Sequence, residues 1–508
     1  MSFSKRFLIL AVALLTLLPV FSSCKANDAK PSGTTPSADT TSPGDGETAE
    51  PEDNFYADRQ NAKDGLPEKM DFGGAEIRII GETGTKDRIA NCTWFAESSS
   101  DVIEEAIYRR NEIISSRLNI KMVNMSDGTA TEDVDDKVKL SVTTFSDDYD
   151  VAPYNTSLML EGCYRDIMDL DYVNWDAPWW NQTYRDAATI EERLFSMTGE
   201  IKLTVLASTF LTYFNKTLMQ DLHSDIDIYQ LVRDGNWTID KMTELCDSVY
   251  NDENGDGLLD ENDRFANAMA YDVGQANTLA GGADLEYVRL DVDNGWYVWS
   301  LENNKTASFL QKCKRLLFEN NRTWTYPNNY KDNDYLYIGK LLEGTALFTF
   351  STMSTTEFMR DMPDPGFGIL PPPKYDEAQE VYTSYSDTLS ALTVPVTTTI
   401  EDVVGAFLEA AASQNYRTVT PAYFDTAVKS KYARDEESAE MLDIIVAGTT
   451  ISMLSVLQGY LDWNAITVIP KLLCTENGIN RGMSLISKHA KNANSLLMEL
   501  PDRISSIG

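Results

Sequence analysis

The first regular pattern in the chain is an alternation of apolar and polar residues over residues 75–81, which predicts a β-strand. Residues 101–118 repeat at helical spacing instead, and residues 119–125 return to the strand pattern. The apolar face of the predicted helix consists of Ile103, Ala106, Ile107, Ile114 and Leu118.

A second helix is predicted at residues 133–144 and a short strand at residues 149–152, which completes a β-α-β-α-β order. This order implies a parallel sheet with right-handed crossovers, so the predicted fold class is α/β. Ligands of such sheets bind beyond the carboxyl ends of the strands, where Glu82, Tyr154 and Asn155 lie. Neither strand end carries a glycine-rich phosphate-binding motif, so no nucleotide site is indicated.

The remainder of the chain mixes short strands and amphipathic helices and contains no internal repeat. Thr238 is a predicted N-cap for a helix over residues 239–250, with Asp240 in its first turn. Strands are predicted at residues 346–351 and 367–370, and further helices at residues 400–413, 434–447 and 483–497.

The N-terminus has the organisation of an export signal. Lys5 and Arg6 precede an apolar run over residues 7–20, which is shorter than the ~20 residues that span a bilayer. The run closes with Phe-Ser-Ser before Cys24, which resembles the lipobox of bacterial lipoproteins. Residues 1–24 are therefore predicted to be a lipoprotein signal peptide in which Cys24 is lipidated. An ordinary cleaved signal with a chance cysteine is the alternative.

Residues 30–52 contain only Pro, Ser, Gly, Thr, Ala, Lys and acidic residues. Such a segment cannot bury a core, so residues 25–69 are predicted to be a disordered tether between the lipid and a folded body. Five cysteines follow Cys24, and none has the C-x-x-C spacing of a zinc or thioredoxin-like motif. Cys246 and Cys313 fall in helical patterns and are expected to be buried.

Charge is the extreme feature of the composition. The 508 residues include 43 Lys and Arg against 79 Asp and Glu, which gives a net charge of −36. This argues against nucleic-acid binding, which needs a basic face. Only His223 and His489 are present, so an H-E-x-x-H zinc site is ruled out and a Ser-His-Asp triad has little room. A catalytic pair of carboxylates stays open.

Residues 252–263 carry the most specific local motif, D-x-N-x-D-G with acids at positions nine and twelve. Oxygen ligands at alternate positions can surround one Ca²⁺ if the chain turns sharply, which Gly257 permits. Residues 264–271, which follow, have a weak helical pattern. A solvated acidic turn without metal is the alternative to a structural calcium site. The predicted ligands are Asp252, Asn254, Asp256, the carbonyl oxygen of Leu258, Asp260 and Asp263.

The chain contains 9 Trp and 24 Tyr, and several of these aromatic residues lie in segments without helix or strand periodicity. Aromatic faces can stack on the C–H faces of pyranose rings while nearby polar side chains bind hydroxyl groups. For each aromatic residue, packing in the core is the alternative. The candidates for a ligand wall are Tyr154, Trp179, Trp180, Asn181, Trp296, Ser351, Asp387 and Trp463.

Several stretches carry a family resemblance through their order and spacing. Residues 213–218 (YFNKTL) are followed by residues 235–242 (GNWTIDKM), 339–348 (GKLLEGTALF) and 367–374 (FGILPPPK). Together they resemble the extracellular solute-binding lipoproteins of bacterial ABC importers, in the maltose-binding-protein-like, sugar-binding group. Residues 402–411 are similar to a helix of that group.

The resemblance covers roughly residues 70–508 and implies a two-lobed periplasmic-binding-protein-like fold, with a hinge and an interlobe ligand cleft. By analogy, the first lobe comprises residues 70–200 and 392–440, and the second comprises residues 201–391 and 441–508. It also implies a monomeric, non-enzymatic binding protein at the extracellular face of the cell membrane. Such a protein captures a carbohydrate, in the first place an oligosaccharide, and delivers it to an ABC permease.

Two other functions stay open at this point. A surface adhesin or sensor would bind a glycan without serving a permease. A secreted glycosidase would hold two carboxylates about 5–9.5 Å apart in a cleft and would release product.

Overall fold

A computed structural model describes the chain over ten ranges. They are residues 59–81, 93–126, 131–270, 273–291, 296–326, 336–386, 391–433, 435–451, 456–457 and 460–507. The predicted signal peptide with Cys24, and residues 25–58 of the predicted tether, lie outside these ranges.

Strands and helices alternate through the described residues. The strands are β1 (Ala75–Ile79), β2 (Ile120–Asn124), β3 (Ala152–Pro153), β4 (Phe210–Asn215), β5 (Phe265–Ala270), β6 (Val288–Asp291), β7 (Trp296–Trp299), β8 (Thr323–Tyr326), β9 (Ala346–Thr352), β10 (Phe367–Leu370), β11 (Ser384–Tyr385), β12 (Leu392–Thr393) and β13 (Thr449–Thr450). The α-helices are α1 (Val102–Leu118), α2 (Thr131–Thr144), α3 (Thr156–Leu160), α4 (Gln182–Ala188), α5 (Thr204–Ala207), α6 (Lys216–Leu222), α7 (Ile228–Arg233), α8 (Ile239–Leu245), α9 (Val273–Gly282), α10 (Asn304–Phe318), α11 (Leu336–Leu342), α12 (Thr356–Met359), α13 (Glu401–Gln414), α14 (Glu436–Ala447), α15 (Trp463–Ile466), α16 (Val468–Leu473), α17 (Glu476–Asn480) and α18 (Gly482–Ser505).

The first lobe, defined as the elements packed around β1, β2, β3 and β12, has the predicted β-α-β-α-β order. β1 and β2 pair in parallel through the α1 crossover, and Ile79 bridges in parallel to Val151 at the start of the third strand. Strand β12, from much later in the chain, pairs antiparallel with β3. A later segment of the sequence therefore contributes a strand to the first lobe.

Helix α1 illustrates why the secondary structure of this lobe could be predicted from its sequence. Asp101 caps its N-terminus by accepting the N–H groups of Ile103 and Glu104. Asn119 ends the helix in the left-handed conformation, at a φ of 48°. The predicted apolar face is confirmed, because Ile103, Ile107, Ile114 and Leu118 are buried and Ala106 is half-buried.

The second lobe, defined as the elements packed around a five-stranded sheet, has the strand order β10-β4-β9-β5-β8. β4 runs antiparallel to both of its neighbours, whereas β9, β5 and β8 are parallel. All six residues of β4 are buried, as are all but the last residues of β5 and β9, as expected for strands covered on both faces. Helices α9, α10, α16 and α18 pack around this lobe.

Two secondary-structure predictions around residue 250 are wrong. The helix capped by Thr238 ends at Leu245 and not at residue 250, because the chain turns back and Asn251 pairs with Arg264. Of the predicted helical stretch 264–271, residues 264–270 are described and do not form a helix, since Phe265–Ala270 is the buried strand β5 between β9 and β8. Pairing on both edges overrides a weak helical pattern.

The folded body begins earlier in the chain than predicted. Residues 59–69, assigned to the tether, pack on the first lobe, and Leu66 is buried. The side chain of Asp64, only 4% exposed, forms ion pairs with Arg117 at 2.7 Å and Arg417 at 3.3 Å. Ser413 donates a further hydrogen bond to Asp64 at 2.8 Å.

Two further predictions can be compared with the described residues. Cys246 and Cys313 are buried thiols, as expected, and burial raises the pKa of both. Among the helices of the described residues, none is long and apolar enough to cross a bilayer.

Asp64→Asn is expected to lower the free energy of unfolding at neutral pH by about 2 kcal/mol. Burial alone would raise the pKa of Asp64, but hydrogen bonds from Arg117 and Ser413 and the charges of Arg117 and Arg417 lower it to about 2. The carboxylate therefore contributes stability above its ordinary pKa of 3.8 and loses that contribution as the pH falls towards 2.

Urea unfolding of the wild type and the variant across this pH window measures the difference. Glu68→Gln, which changes an exposed carboxylate four residues further along, serves as the control. A deficit of Asp64→Asn that is as large near pH 2 as at pH 7 would contradict the ion-pair explanation.

Candidate functional site

Three segments carry the chain between the lobes, and two of them are paired. The first leads through Thr209 into β4, and the second leaves β11 through Ser386. Thr209 and Ser386 form an antiparallel bridge, and Ser386 Oγ donates to the carbonyl oxygen of Val205 at 2.8 Å. On the other side of this pair, β11 runs parallel to β13.

The third connection is a long helical stretch. It continues α13 through the π-helical segments Asn415–Val419 and Ala422–Tyr432. An apolar cluster packs it against both lobes, including Ile107 of α1 and Met359 of α12. Beyond it, α14 belongs to the second lobe, because Ser438 Oγ accepts the N–H of Ile369 in β10 at 3.3 Å.

A cavity of about 790 Å³ lies beside these connections. Its walls come from residues 178–183, residues 199–206, the π-helical stretch and the end of α14. The walls are mostly apolar, with Arg59, Glu200 and Asp425 among the polar residues. A largely apolar cavity with a few polar groups has the general character of a small-molecule site. Of the predicted ligand-binding residues, the cavity brings together Trp179, Trp180 and Asn181.

Trp179 and Trp180 are only 3% and 2% exposed, so neither presents an open ring face in this structure. Both indole N–H groups donate to Glu409 Oε2, each at 3.2 Å. Trp180 also packs on Trp175, with 4.8 Å between ring centroids. Only parts of these residues reach the cavity, and their rings are held by the core of the first lobe.

Glu409 is a buried residue that positions both tryptophans, and the sequence analysis missed it. It is fully buried, and its Oε1 has no hydrogen-bond partner. Burial raises the pKa of Glu409, and the hydrogen bonds from Trp180, Trp179 and the N–H of Asn174 only partly oppose this. The available signal was a single Glu within the otherwise apolar run of residues 403–412.

Buried Arg59 and half-buried Glu200 form an ion pair at the cavity wall. Two hydrogen bonds of 2.5 and 2.6 Å join the guanidinium group to the carboxylate. Arg59 also stacks on the ring of Tyr416, with 4.0 Å from Cζ to the centroid. Burial raises the pKa of Glu200, and the charge of Arg59 opposes this. Arg59 lay in the predicted tether, so nothing in its sequence context indicated this role.

Asn181 and Asn155 act as helix caps. Asn181 accepts the N–H of Tyr184 at the start of α4. Asn155 accepts the N–H groups of Ser157 and Leu158 at the start of α3 and donates to Asp135 at 2.6 Å. These contacts fix both side chains next to the strand ends and the cavity wall.

Tyr154 and Ser351 lie at the ends of their strands, as predicted. Tyr154 follows β3 and is half-buried, and burial raises the pKa of its phenol to about 12. Ser351, near the end of β9, is buried. Its hydroxyl group forms hydrogen bonds with the hydroxyl groups of Tyr337 at 3.2 Å and Thr355 at 2.6 Å. The structure does not bring these two residues to the cavity that contains Trp179.

Of the predicted ligand-wall residues of the second lobe, Trp296 is engaged in packing. Trp296, in the β6–β7 hairpin, is half-buried and donates its indole N–H to the carbonyl oxygen of Leu497 in α18. Trp463 begins α15, and its side chain lies outside the described part of the structure. Glu82 and Asp387 also lie outside the described residues.

The predicted calcium ligands share one loop of the second lobe, between α8 and β5. Asp252 and Asp256 accept backbone N–H groups within the loop, whereas Asp263 is buried. In the described ranges, no group of three or more His, Cys, Asp or Glu side chains is already gathered as a metal centre.

Glu409→Ala is expected to lower the free energy of unfolding by about 2–4 kcal/mol, because two buried indole N–H groups lose their acceptor and a void remains. Glu409→Gln keeps an acceptor oxygen and should cost less. Because the folded-state pKa of Glu409 is raised, the stability associated with its protonation is present below the ordinary pKa of 4.5. That stability is lost as the pH rises towards the raised value.

The stability difference between wild type and Glu409→Gln should therefore shift against the wild type as the pH rises above 4.5. Thermal unfolding followed by tryptophan fluorescence measures this difference. Asp402→Asn, an exposed acid of the same helix, is the control. A pH-independent difference would show that Glu409 does not titrate in this range.

Comparisons with known proteins identify the fold. No protein-family model matches the sequence, and no curated protein matches it significantly. Solved structures do match. The GacH receptor of Streptomyces glaucescens has 12% identity over 84% of this chain and 99% of its own, at a TM-score of 0.51. The ABC substrate-binding protein Lmo0181 of Listeria monocytogenes has 12% identity over 83% of this chain and 98% of its own, at a TM-score of 0.52.

The galacto-N-biose-/lacto-N-biose I-binding protein of a Bifidobacterium longum ABC transporter gives a TM-score of 0.53, with 10% identity over 85% of this chain and 98% of its own. At such low identity the likeness establishes the fold alone. Nearly the full length of each protein is matched, so both lobes take part in the likeness. The chain therefore has the two-lobed α/β fold of ABC-transporter substrate-binding proteins, which confirms the predicted fold class.

Proposed function

We propose that this chain is the substrate-binding component of a bacterial ABC importer and that it captures a carbohydrate between its lobes. The observation that carries the proposal is the match of the whole two-lobed fold to proteins of that kind, over 83–85% of this chain. The paired connections at Thr209 and Ser386 support it, because two lobes joined in this way can close on a ligand.

An oligosaccharide is the ligand class that we propose. The matched proteins are described in complex with acarbose, with cycloalternan and with lacto-N-biose. Tyr154 and Asn155 follow β3, at the carboxyl end of a strand, which is where ligands of open α/β sheets generally bind. A half-buried tyrosine can stack on a sugar ring, and closure of the lobes would remove the ligand from water.

We further propose that the protein is attached to the extracellular face of the membrane through lipidated Cys24, with the residues before Arg59 as tether. Delivery of the sugar to a permease follows from the proposed importer role. The protein is expected to bind the sugar without cleaving it, as the matched binding proteins fit a non-enzymatic role.

A panel of oligosaccharides tested by thermal unfolding examines this function directly. One member should raise the melting temperature, since a ligand at 100 times its Kd stabilises the folded state by about 2.7 kcal/mol. Chromatography of the recovered sugar should show it intact. A cleaved sugar would move the assignment to a glycosidase, and the absence of any shift across the panel would contradict carbohydrate binding.

Tyr154→Ala is expected to weaken binding of the identified sugar about tenfold, which corresponds to ~1.4 kcal/mol of lost stacking. Isothermal titration calorimetry measures the change in Kd. Tyr172→Ala, which removes a tyrosine that is 47% exposed, is the matched control and should bind as the wild type does. Equal affinities of both variants for the sugar would show that Tyr154 does not contact the ligand.

A further inference from the structure

The loop of residues 252–263 is closed at its base and strongly acidic. Asn251 and Arg264 exchange two backbone hydrogen bonds, of 3.1 and 3.0 Å, so the loop begins and ends at one point. Its twelve residues include six acids and no basic residue. Arg264 forms an ion pair with Glu253, with 3.2 Å between a guanidinium nitrogen and Oε1. The mutual repulsion of the remaining acids favours a bound cation.

The first half of the loop is already turned around its side chains. Asp252 accepts the N–H groups of Gly255 at 2.7 Å and Gly257 at 2.9 Å. Both glycines have a left-handed φ, of 70° and 73°, which residues with a Cβ rarely adopt. Asp256 accepts the N–H of Leu258 at 2.7 Å. Asn254 accepts the N–H of Asp256 at 3.2 Å, so the three side chains at positions one, three and five belong to one tight turn.

Asp263, at position twelve, supplies the independent observation. It is fully buried, and its Oδ2 accepts hydrogen bonds from the Tyr250 hydroxyl at 3.1 Å and the Asp260 N–H at 3.3 Å. Its Oδ1 is buried and has no hydrogen-bond partner. A buried, unpartnered carboxylate oxygen is costly in free energy. A cation held by the loop would provide its missing partner.

We propose that residues 252–263 bind one Ca²⁺. The ligands are the side chains of Asp252, Asn254, Asp256, Asp260 and Asp263 and the carbonyl oxygen of Leu258. These six oxygens suit a hard cation, and the absence of His and Cys from the loop disfavours zinc. Ion binding includes rotation of Asp256 and Asp260 towards Asp263, since the side chains are not gathered beforehand.

The position of the loop defines what the ion does. The loop leads directly into β5, which lies between β9 and β8 in the sheet of the second lobe. Calcium therefore fixes the entry of an inner strand and stabilises that lobe. Extracellular calcium modules bind with a Kd of about 10⁻⁴–10⁻³ M, and we expect this site to fall in or just below that range. The inference is independent of the proposed sugar.

Isothermal titration calorimetry with CaCl₂, in the absence of any sugar, tests the site on the chelator-treated protein. The wild type should bind one Ca²⁺ and should melt several degrees higher with calcium than with a chelator. Mg²⁺ should bind at least about tenfold more weakly, because it requires stricter octahedral geometry.

Variants locate the ion. Asp256→Asn, at an exposed position where the fold is not at risk, should weaken calcium binding at least about tenfold, and Asp263→Asn should abolish it. Glu261→Gln changes an exposed acid of the same loop that is not a proposed ligand and should bind calcium as the wild type does. Absence of binding up to about 10 mM Ca²⁺, or equal affinities of Asp256→Asn and Glu261→Gln, would overturn the proposal.

Discussion

The antiparallel bridge between Thr209 and Ser386 fastens two of the three connections at the junction of the lobes. Each sheet has its own strand order, but the buried apolar residues around the two sheets form continuous clusters that extend into both lobes. Gly448 shows how closely the segments approach, because a Cβ at this position would lie 2.0 Å from the carbonyl oxygen of Tyr382. The relative position of the lobes therefore depends on this paired backbone and on the apolar packing that both lobes share.

Three buried or half-buried carboxylates form contacts on the first-lobe side of this junction. Glu409 accepts hydrogen bonds from two indole groups. Glu200 forms an ion pair with Arg59, and Asp64 forms ion pairs with two arginines. Each carboxylate joins segments that are distant in sequence, so each fixes a tertiary contact that apolar packing alone would leave less specific. Removal of one partner is costly because the other remains buried without compensation. The side chains that shape the cavity wall therefore depend on the same contacts that hold the lobe together.

Periodicity in the sequence was sufficient to predict the elements that depend only on residues close to them in the chain. The α1 face, the Thr238 cap and the parallel β1–β2 pair follow from spacing and capping chemistry alone. The end of the helix at Leu245 and the strand at Phe265–Ala270 do not, because both depend on pairing with residues far along the chain. The same limit applies to Trp179 and Trp180. Their aromatic character is visible in the sequence, but the carboxylate of Glu409 that binds them lies about 230 residues away.

The first described residue also shapes the cavity. Hydrogen bonds of Arg59 to Glu200 and to the carbonyl oxygen of Tyr416 place it at the cavity wall beside the connections between the lobes. Removal of Arg59 would leave the Glu200 carboxylate without this cationic partner at that wall. The polarity of the cavity therefore depends on the residue at which the described body begins.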